Sequence, residues 1–293
     1  MNIDKLFVSS DLNPKFINFW PVVSESWRRI FAIEPTLVIV SKKAIDLKLL
    51  ELIESFGACK IIISKSHAPI ENQAKLARWF EACKVNDEIA MIEDIDTIFL
   101  RDNYLISRLS KFKNGELLGI GSEVYSEDSS KQGKFPASNL TGEGKIFADL
   151  FGYVKGESFE NFVEKFNQHP VFDEMENPFN IPIKFSDESL IRALRSRNNF
   201  KNISVIPRDL NAHKYWIDRS WWPVNQMILS EHELVNFPRP LYENRKKCEF
   251  ILKFFYPEGY PWIIRKRTNI FTNQDGKFKK LQKRILRKLS KLI

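Results

Sequence analysis

Ala90-Met91-Ile92-Glu93-Asp94-Ile95-Asp96-Thr97-Ile98-Phe99-Leu100 decides how the chain is read. Two apolar runs flank three acids, Glu93, Asp94 and Asp96. An unpaired carboxylate inside an apolar strand is costly, so acids in such a place need a partner. A hard divalent cation with oxygen ligands suits them. Asp94 and Asp96 lie two residues apart, and an extended backbone points both side chains to one side. Two carboxylates on one face can hold Mg²⁺ or Mn²⁺, which then takes further charge from a diphosphate. The competing reading is an ordinary exposed strand end or the start of a helix.

Outward from this segment the chain alternates. Lys5–Ser10 (KLFVSS), Thr36–Ser41 (TLVIVS) and Lys60–Ser64 (KIIIS) are short, continuous apolar strands. Helical spacing over Phe16–Phe31, Asp46–Phe56 and Gln73–Lys84 separates them. Such a series implies an α/β fold with a mainly parallel sheet covered on both faces. Ligands are then expected at the carboxyl ends of the strands, where the acids fall. No Gly-rich fingerprint follows the first strand, and there is no Walker-type loop, so neither common nucleotide motif is present. Beyond residue 100 the pattern predicts a strand over Glu116–Val124, helices over Asn139–Tyr153, Ser158–Asn167 and Ser186–Leu194, and a late strand over Ile203–Ile206.

The helix before the acids reads Asn72-Gln73-Ala74-Lys75-Leu76-Ala77-Arg78-Trp79 and presents Lys75 and Arg78 at i, i+3. With VSSDLNP, TLVIVS, KIIIS, QAKLARWFEA and EDIDTIFLRD in this order, the chain resembles glycosyltransferases of the GT-A type. It is similar to bacterial and viral members that carry a DID or DMD signature after a QAKxxR helix. The resemblance covers the element order over roughly residues 5–240. It is specific around residues 72–104 and at Ile217-Asp218-Arg219.

That resemblance implies a Rossmann-like GT-A sheet. It also implies transfer of a sugar from a nucleotide-diphosphate donor, a UDP-sugar being favoured, to a glycan or lipid-linked acceptor of surface polysaccharide or glycoconjugate synthesis. It places Ser9, Ser10 and Asp11 against the nucleoside, and Gln73, Lys75, Arg78 and Arg219 on the donor side. Asp94 would approach the ribose or the cation, and Asp96 would ligate the cation. A late histidine often completes the shell, and His213 is the candidate, with Asn236 or water as alternatives. Strand-end serines, solvated helix cations and a surface or core histidine are the plain readings of the same residues.

Asp187-Glu188 opens a helix after a long loop and suits acceptor binding or base work, since an inverting transferase needs a base for the acceptor hydroxyl. A helix-start acid favoured by the dipole is the equal alternative. Asp218-Arg219 with Trp216, Trp221 and Trp222 could form an acceptor wall, with core packing the better reading for at least one Trp.

Charge separates the chain into two parts. Lys277–Ile293 holds eight Lys or Arg and no acid, and removing these from the 45 basic residues leaves 37, equal to the 37 acids. A nucleic-acid-binding domain would spread its basic excess over a folded face, so no nucleic-acid partner is expected. Phe278, Leu281, Ile285, Leu289 and Leu292 form one apolar stripe among these cations, which reads as an anchor on an anionic membrane surface. The expected division is residues 1–265 for the transferase domain and 266–293 for a basic amphipathic tail. The start of the chain carries no signal-peptide pattern, and Cys59, Cys83 and Cys248 are too scattered for a disulfide framework. The expected location is cytoplasmic, at the inner face of a membrane. Two rival functions share these features: a nucleotidyl- or phosphotransferase using the same acids, and an inactive membrane-associated interaction protein.

Overall fold

The computed structural model describes residues 2–120, 138–167, 194, 202–206, 216–217, 219, 222–224 and 231–264. Strands β1 (Lys5–Ser10), β2 (Pro35–Ser41), β3 (Ala58–Ile63) and β4 (Ile89–Glu93) pair in parallel in the order β3-β2-β1-β4. Their crossovers carry α1 (Pro14–Ile17), α2 (Trp20–Phe31), α3 (Leu47–Glu54) and α4 (Ile70–Cys83). After β5 (Thr97–Phe99) and α5 (Asn103–Leu109), β6 (Leu117–Ile120) and β7 (Leu140–Glu143) extend the large sheet. Helices α6 (Gly144–Phe151) and α7 (Phe159–Asn167) follow, then β8 (Ile203–Ile206) at the far edge. The seven strands run β3-β2-β1-β4-β7-β6-β8, and β7 alone is antiparallel to both of its neighbours. This is the mixed, mainly parallel α/β sheet that the alternating pattern predicts.

Each central strand is buried on both faces, which explains its continuous apolar run. Leu6 and Val8 point to one core with Trp20, Trp27, Leu37, Ile39 and Met91. Phe7 points to the other with Val38, Val40, Trp79, Ala90 and Ile92, the alternation a strand imposes. The first core is closed by α2, by a small sheet of β5, β10 (Leu234–Asn236) and β9 (Trp216–Ile217), and by α8 (Leu241–Phe255). The second is closed by α4, α6 and α7. Free thiols fit this picture: burial pushes Cys59 and Cys248 up to about 12.

Three expectations change. Asn139–Tyr153, predicted as one helix, begins as strand β7, because Leu140–Glu143 is taken up between β4 and β6 before α6 starts. The Phe16–Phe31 helix is split at Asn18. The Asn18 amide donates to Pro14 O at 3.1 Å and exchanges two bonds with the backbone of Ile264, pinning α1 to the last described residue. Most important for the site, the extended backbone expected through Asp94 and Asp96 is broken. Ile95 and Asp96 form a turn, so β4 ends in the large sheet and β5 starts in the small one.

Candidate active site

That turn lies at the carboxyl end of β4, beside the carboxyl end of β1, because Val8 pairs with Glu93. Glu93 has no exposed surface. Its Oε1 accepts from the Asp94 N–H at 2.7 Å, and its Oε2 has no partner among the described residues. Desolvation by burial, reinforced by the Asp94 charge, pushes the Glu93 carboxyl up to about 8. Glu93 is therefore neutral at pH 7.

Asp94 turns the other way. Its Oδ1 accepts from Arg78 Nη1 at 2.7 Å, and its side chain is about a third exposed. Burial would raise its carboxyl, but the charges of Arg78, Arg239 and Arg219 outweigh burial and hold it low. Arg78 is itself buried on α4 and also donates to the Glu93 carbonyl at 2.7 Å. The plain reading of Arg78 as a solvated helix cation is thus wrong: the helix brings it inward against the turn.

Asp96 is fully buried, and the small sheet explains what it meets. Strand β10 pairs antiparallel with β5, aligning Asn236 with Thr97, and Phe237 N–H continues the ladder to Asp96 O. Two residues later Arg239 returns over the turn. Its Nε donates to Asp96 Oδ2 at 2.5 Å and its Nη2 to Oδ1 at 2.6 Å, a bidentate fork. Arg219, just after β9, places Nη1 at 3.6 Å from the same Oδ2.

The other predicted residues fall as follows. Ser10 and Asp11 are buried at the end of β1, with Ser9 half-buried beside them. Ser10 Oγ donates to the Asp11 carbonyl at 2.7 Å, and Asp11 Oδ1 accepts from Asn13 N–H at 3.0 Å. Desolvation pushes the Asp11 carboxyl up to about 6, with Glu71 adding to it and the Asn13 N–H opposing it. Gln73 is fully buried and ties the loop before α4 through Nε2 to Ala68 O at 2.7 Å, so it serves the frame of the site. Lys75 is half-buried on α4. Asn236 is committed elsewhere than to a cation: Oδ1 accepts from Trp216 Nε1, and Nδ2 donates to Thr97 Oγ1 at 2.9 Å. Trp222 belongs to the core, its Nε1 on Asn236 O at 3.0 Å and its ring edge-on to Phe237 at 5.4 Å. Asp187, Glu188, His213, Asp218, Trp221 and the tail lie outside the described residues.

No family model and no curated protein sequence matches the chain. Among solved structures it is similar to the galactosyltransferase LgtC in complex with donor and acceptor sugar analogs, at 11% identity and TM-score 0.44, over 80% of this chain and 86% of that one. It is also similar to the WbbM bifunctional glycosyltransferase, at 10% identity and TM-score 0.47, over 89% of this chain and 50% of that one. The glycosyltransferase GlyE of Streptococcus pneumoniae TIGR4 aligns at 12% identity and TM-score 0.46, over 90% of this chain and 66% of that one. At these scores the likeness assigns no residue of this chain a role.

The geometry itself has a definite chemical character. Three guanidinium groups, Arg78, Arg219 and Arg239, surround the carboxyl groups of Asp94 and Asp96 and hold Asp94 low, while Glu93 is neutral. Positive charge is left over at the mouth of a parallel sheet, which suits an anion. For a divalent cation the donors are right in kind: Asp94 Oδ2 carries no bond among the described residues, and Asp96 offers a carboxylate in exchange for Arg239. No three His, Cys, Asp or Glu side chains gather into a cation site among the described residues, so further ligands must come from a bound ligand, water or other parts of the chain. Arg239 is the residue the sequence pattern misses. Its only signal is a cation between two prolines, Pro238-Arg239-Pro240.

Proposed function

We propose that this protein is a glycosyltransferase that takes a sugar from a nucleotide-diphosphate donor, a UDP-sugar being favoured, with Mg²⁺ or Mn²⁺ held by Asp94 and Asp96. The carrying observation is the acid turn at the carboxyl ends of β1 and β4, ringed by Arg78, Arg219 and Arg239 with positive charge to spare. A bound cation would supply positive charge to the departing nucleoside diphosphate. Arg78 is fixed by the Glu93 carbonyl and Asp94, so it presents a stationary charge to the same group. Ser9, Ser10 and Asp11 close the nucleoside side of the cleft, and Lys75 adds charge from α4. Arg219, about two-fifths exposed, can turn toward the diphosphate. Asp187 and Glu188 are assigned to the acceptor, Asp187 as the group that takes the hydroxyl proton, and His213 to the cation shell.

The acceptor is a glycan or a lipid-linked one, and the basic tail docks the protein on the anionic inner face of a membrane. No described helix is long and apolar enough to cross a membrane. Support for surface docking comes from α8, which leads toward the tail and exposes Phe250 and Phe254 beside Lys246, Lys247 and Lys253. Each basic group near an anionic surface contributes about 1 kcal/mol, so several suffice for reversible binding.

A panel of nucleotide sugars tested by thermal shift with and without Mn²⁺, followed by donor hydrolysis, tests the reading. One nucleotide family should raise the melting temperature in a cation-dependent way and be hydrolysed slowly. Absence of stabilisation by every donor with either cation would refute it.

A further inference from the structure

Asp96 has no exposed surface, so its charge must be compensated whether or not a ligand is present. Arg239 compensates it through two bonds, one to each carboxylate oxygen. These oxygens are the ones a cation would take. A fork of this kind uses the lone pairs in the carboxylate plane, and a divalent cation beside the same oxygens would face a guanidinium of like charge.

The two arginines differ in burial and in the element that carries them. Arg78 sits on helix α4, is buried, and is tied to the Glu93 carbonyl as well as to Asp94. It has nowhere to go. Arg239 sits on the turn between β10 and α8, its side chain is 26% exposed, and its guanidinium lies over the Phe16 ring at 5.2 Å from the ring centre. A side chain on such a turn can swing out while the backbone of both elements stays in place. Arg219, at 3.6 Å and more exposed, is looser still.

We propose that Arg239 is a resident counter-ion that gates cation entry: its guanidinium and a divalent cation are alternative partners of Asp96. The empty protein then binds the cation weakly, because entry must expel Arg239. A diphosphate favours the exchange, since it meets the expelled guanidinium with negative charge. Cation and nucleotide therefore bind cooperatively, and Arg239 adds to the cooperativity that direct ligation by the diphosphate gives. This rests on reading Asp94 and Asp96 as the cation site.

The test is Mn²⁺ titration of the full chain by electron paramagnetic resonance, with and without saturating UDP, chelation by free UDP being subtracted. Wild type, Arg239→Lys and Arg239→Met are compared after thermal melting confirms their folding. Lysine keeps the charge but loses the fork, so it carries the test if the methionine variant does not fold. Wild type should bind Mn²⁺ weakly alone and about tenfold or more tighter with UDP. Both variants should bind Mn²⁺ about tenfold tighter than wild type without UDP, so UDP should add less to them than to wild type, the remainder being direct ligation by the diphosphate. A merely structural arginine would not raise metal affinity when removed. If wild type shows the UDP effect and the variants bind Mn²⁺ alone no better than wild type, the gate is refuted while the cation site stands. If no protein binds Mn²⁺ even with UDP, the cation site falls and the gate with it.

Discussion

The end of the large parallel sheet and the start of the small antiparallel one each bury a carboxylate, and they treat it in opposite ways. Glu93 closes β4 with no exposed surface and with one oxygen unpartnered among the described residues, and it keeps its proton up to about pH 8. Asp96, three residues later, is equally buried but is met by Arg239 and Arg219, brought in by β10 and β9. Burial alone therefore does not decide what a carboxyl in this segment meets; the chain that folds over it does. Local sequence supplies the first environment. Chain more than a hundred residues away supplies the second.

Isosteric amide substitutions should break the two regions in opposite directions. Asp96→Asn leaves Arg239 and Arg219 without their anion, and breaking a buried pair costs about 3–5 kcal/mol. Partial exposure of both arginines puts the expected loss at the lower end. Donor turnover should fall by about a hundredfold or more, as for loss of a fixed electrostatic group at the reacting centre. Denaturant unfolding and donor hydrolysis measure the two effects. A variant with wild-type stability and turnover would show that the small sheet does not hold its acid as an ion pair.

Glu93→Gln should have the other sign. Below about pH 4.5 the glutamic acid is protonated in the folded and unfolded chain alike, and nothing is lost. Between 4.5 and about 8 the unfolded chain releases the proton while the folded one keeps it, so wild-type stability falls as pH rises, by up to about 1.4 kcal/mol per unit. Above about 8 the folded protein ionises too and the penalty stays constant. Glutamine removes this slope, so the variant should gain on wild type from pH 5 to pH 8. Urea midpoints at a series of pH values would show it, and parallel curves for the two proteins would mean that Glu93 is ionised in the fold.

Strands β1, β2 and β4 are legible in the sequence because a strand buried on both faces must be apolar throughout, as LFV, LVIV and AMI are, while the edge strand β3 is legible from its β-branched run Ile61-Ile62-Ile63 although Ile61 and Ile63 are exposed. Strand β7 is not, since Leu-Thr-Gly-Glu has no strand pattern and exists through pairing on both sides. Gly142 fits there because a Cβ would lie 2.4 Å from Leu117 Cδ2. Helix α8 is also unread, although Cys248, Ile251, Leu252 and Phe255 have helical spacing, because charges dominate the segment. At the site, the acids announce themselves as charge inside an apolar run. What they meet does not: β5 and β10 are joined across more than a hundred residues, Val235 against Ile98, and no local feature of either predicts the other. Arg239 is invisible for that reason. The extended-backbone argument for Asp94 and Asp96 also fails locally, because the chain turns at Ile95-Asp96 to change sheets; the two acids still share Arg219 and Arg239.

Asp11 offers the smallest and finest version of the comparison. It lies at the end of β1, nearly as buried as Glu93, and as at Glu93 no arginine hydrogen-bonds its carboxyl group among the described residues. Its Oδ1 accepts from Asn13 N–H, as Glu93 accepts from Asp94 N–H, but its burial is less complete, so its carboxyl rises only to about 6 from 3.8. The sign is that of Glu93 and the window is narrower: stability is lost as pH climbs from 3.8 to about 6, and the loss is constant above that. Asp11→Asn should therefore stabilise the protein modestly at pH 7, with the gain already complete by about pH 7 and no further change toward pH 8. The asparagine oxygen can still accept from Asn13, so the turn should survive. Urea midpoints of Asp11→Asn at pH 4, 6 and 8 would resolve the plateau. A gain that kept growing from pH 6 to pH 8 would place the Asp11 carboxyl with Glu93, and no gain at all would mean that a cation beyond these neighbours holds it ionised.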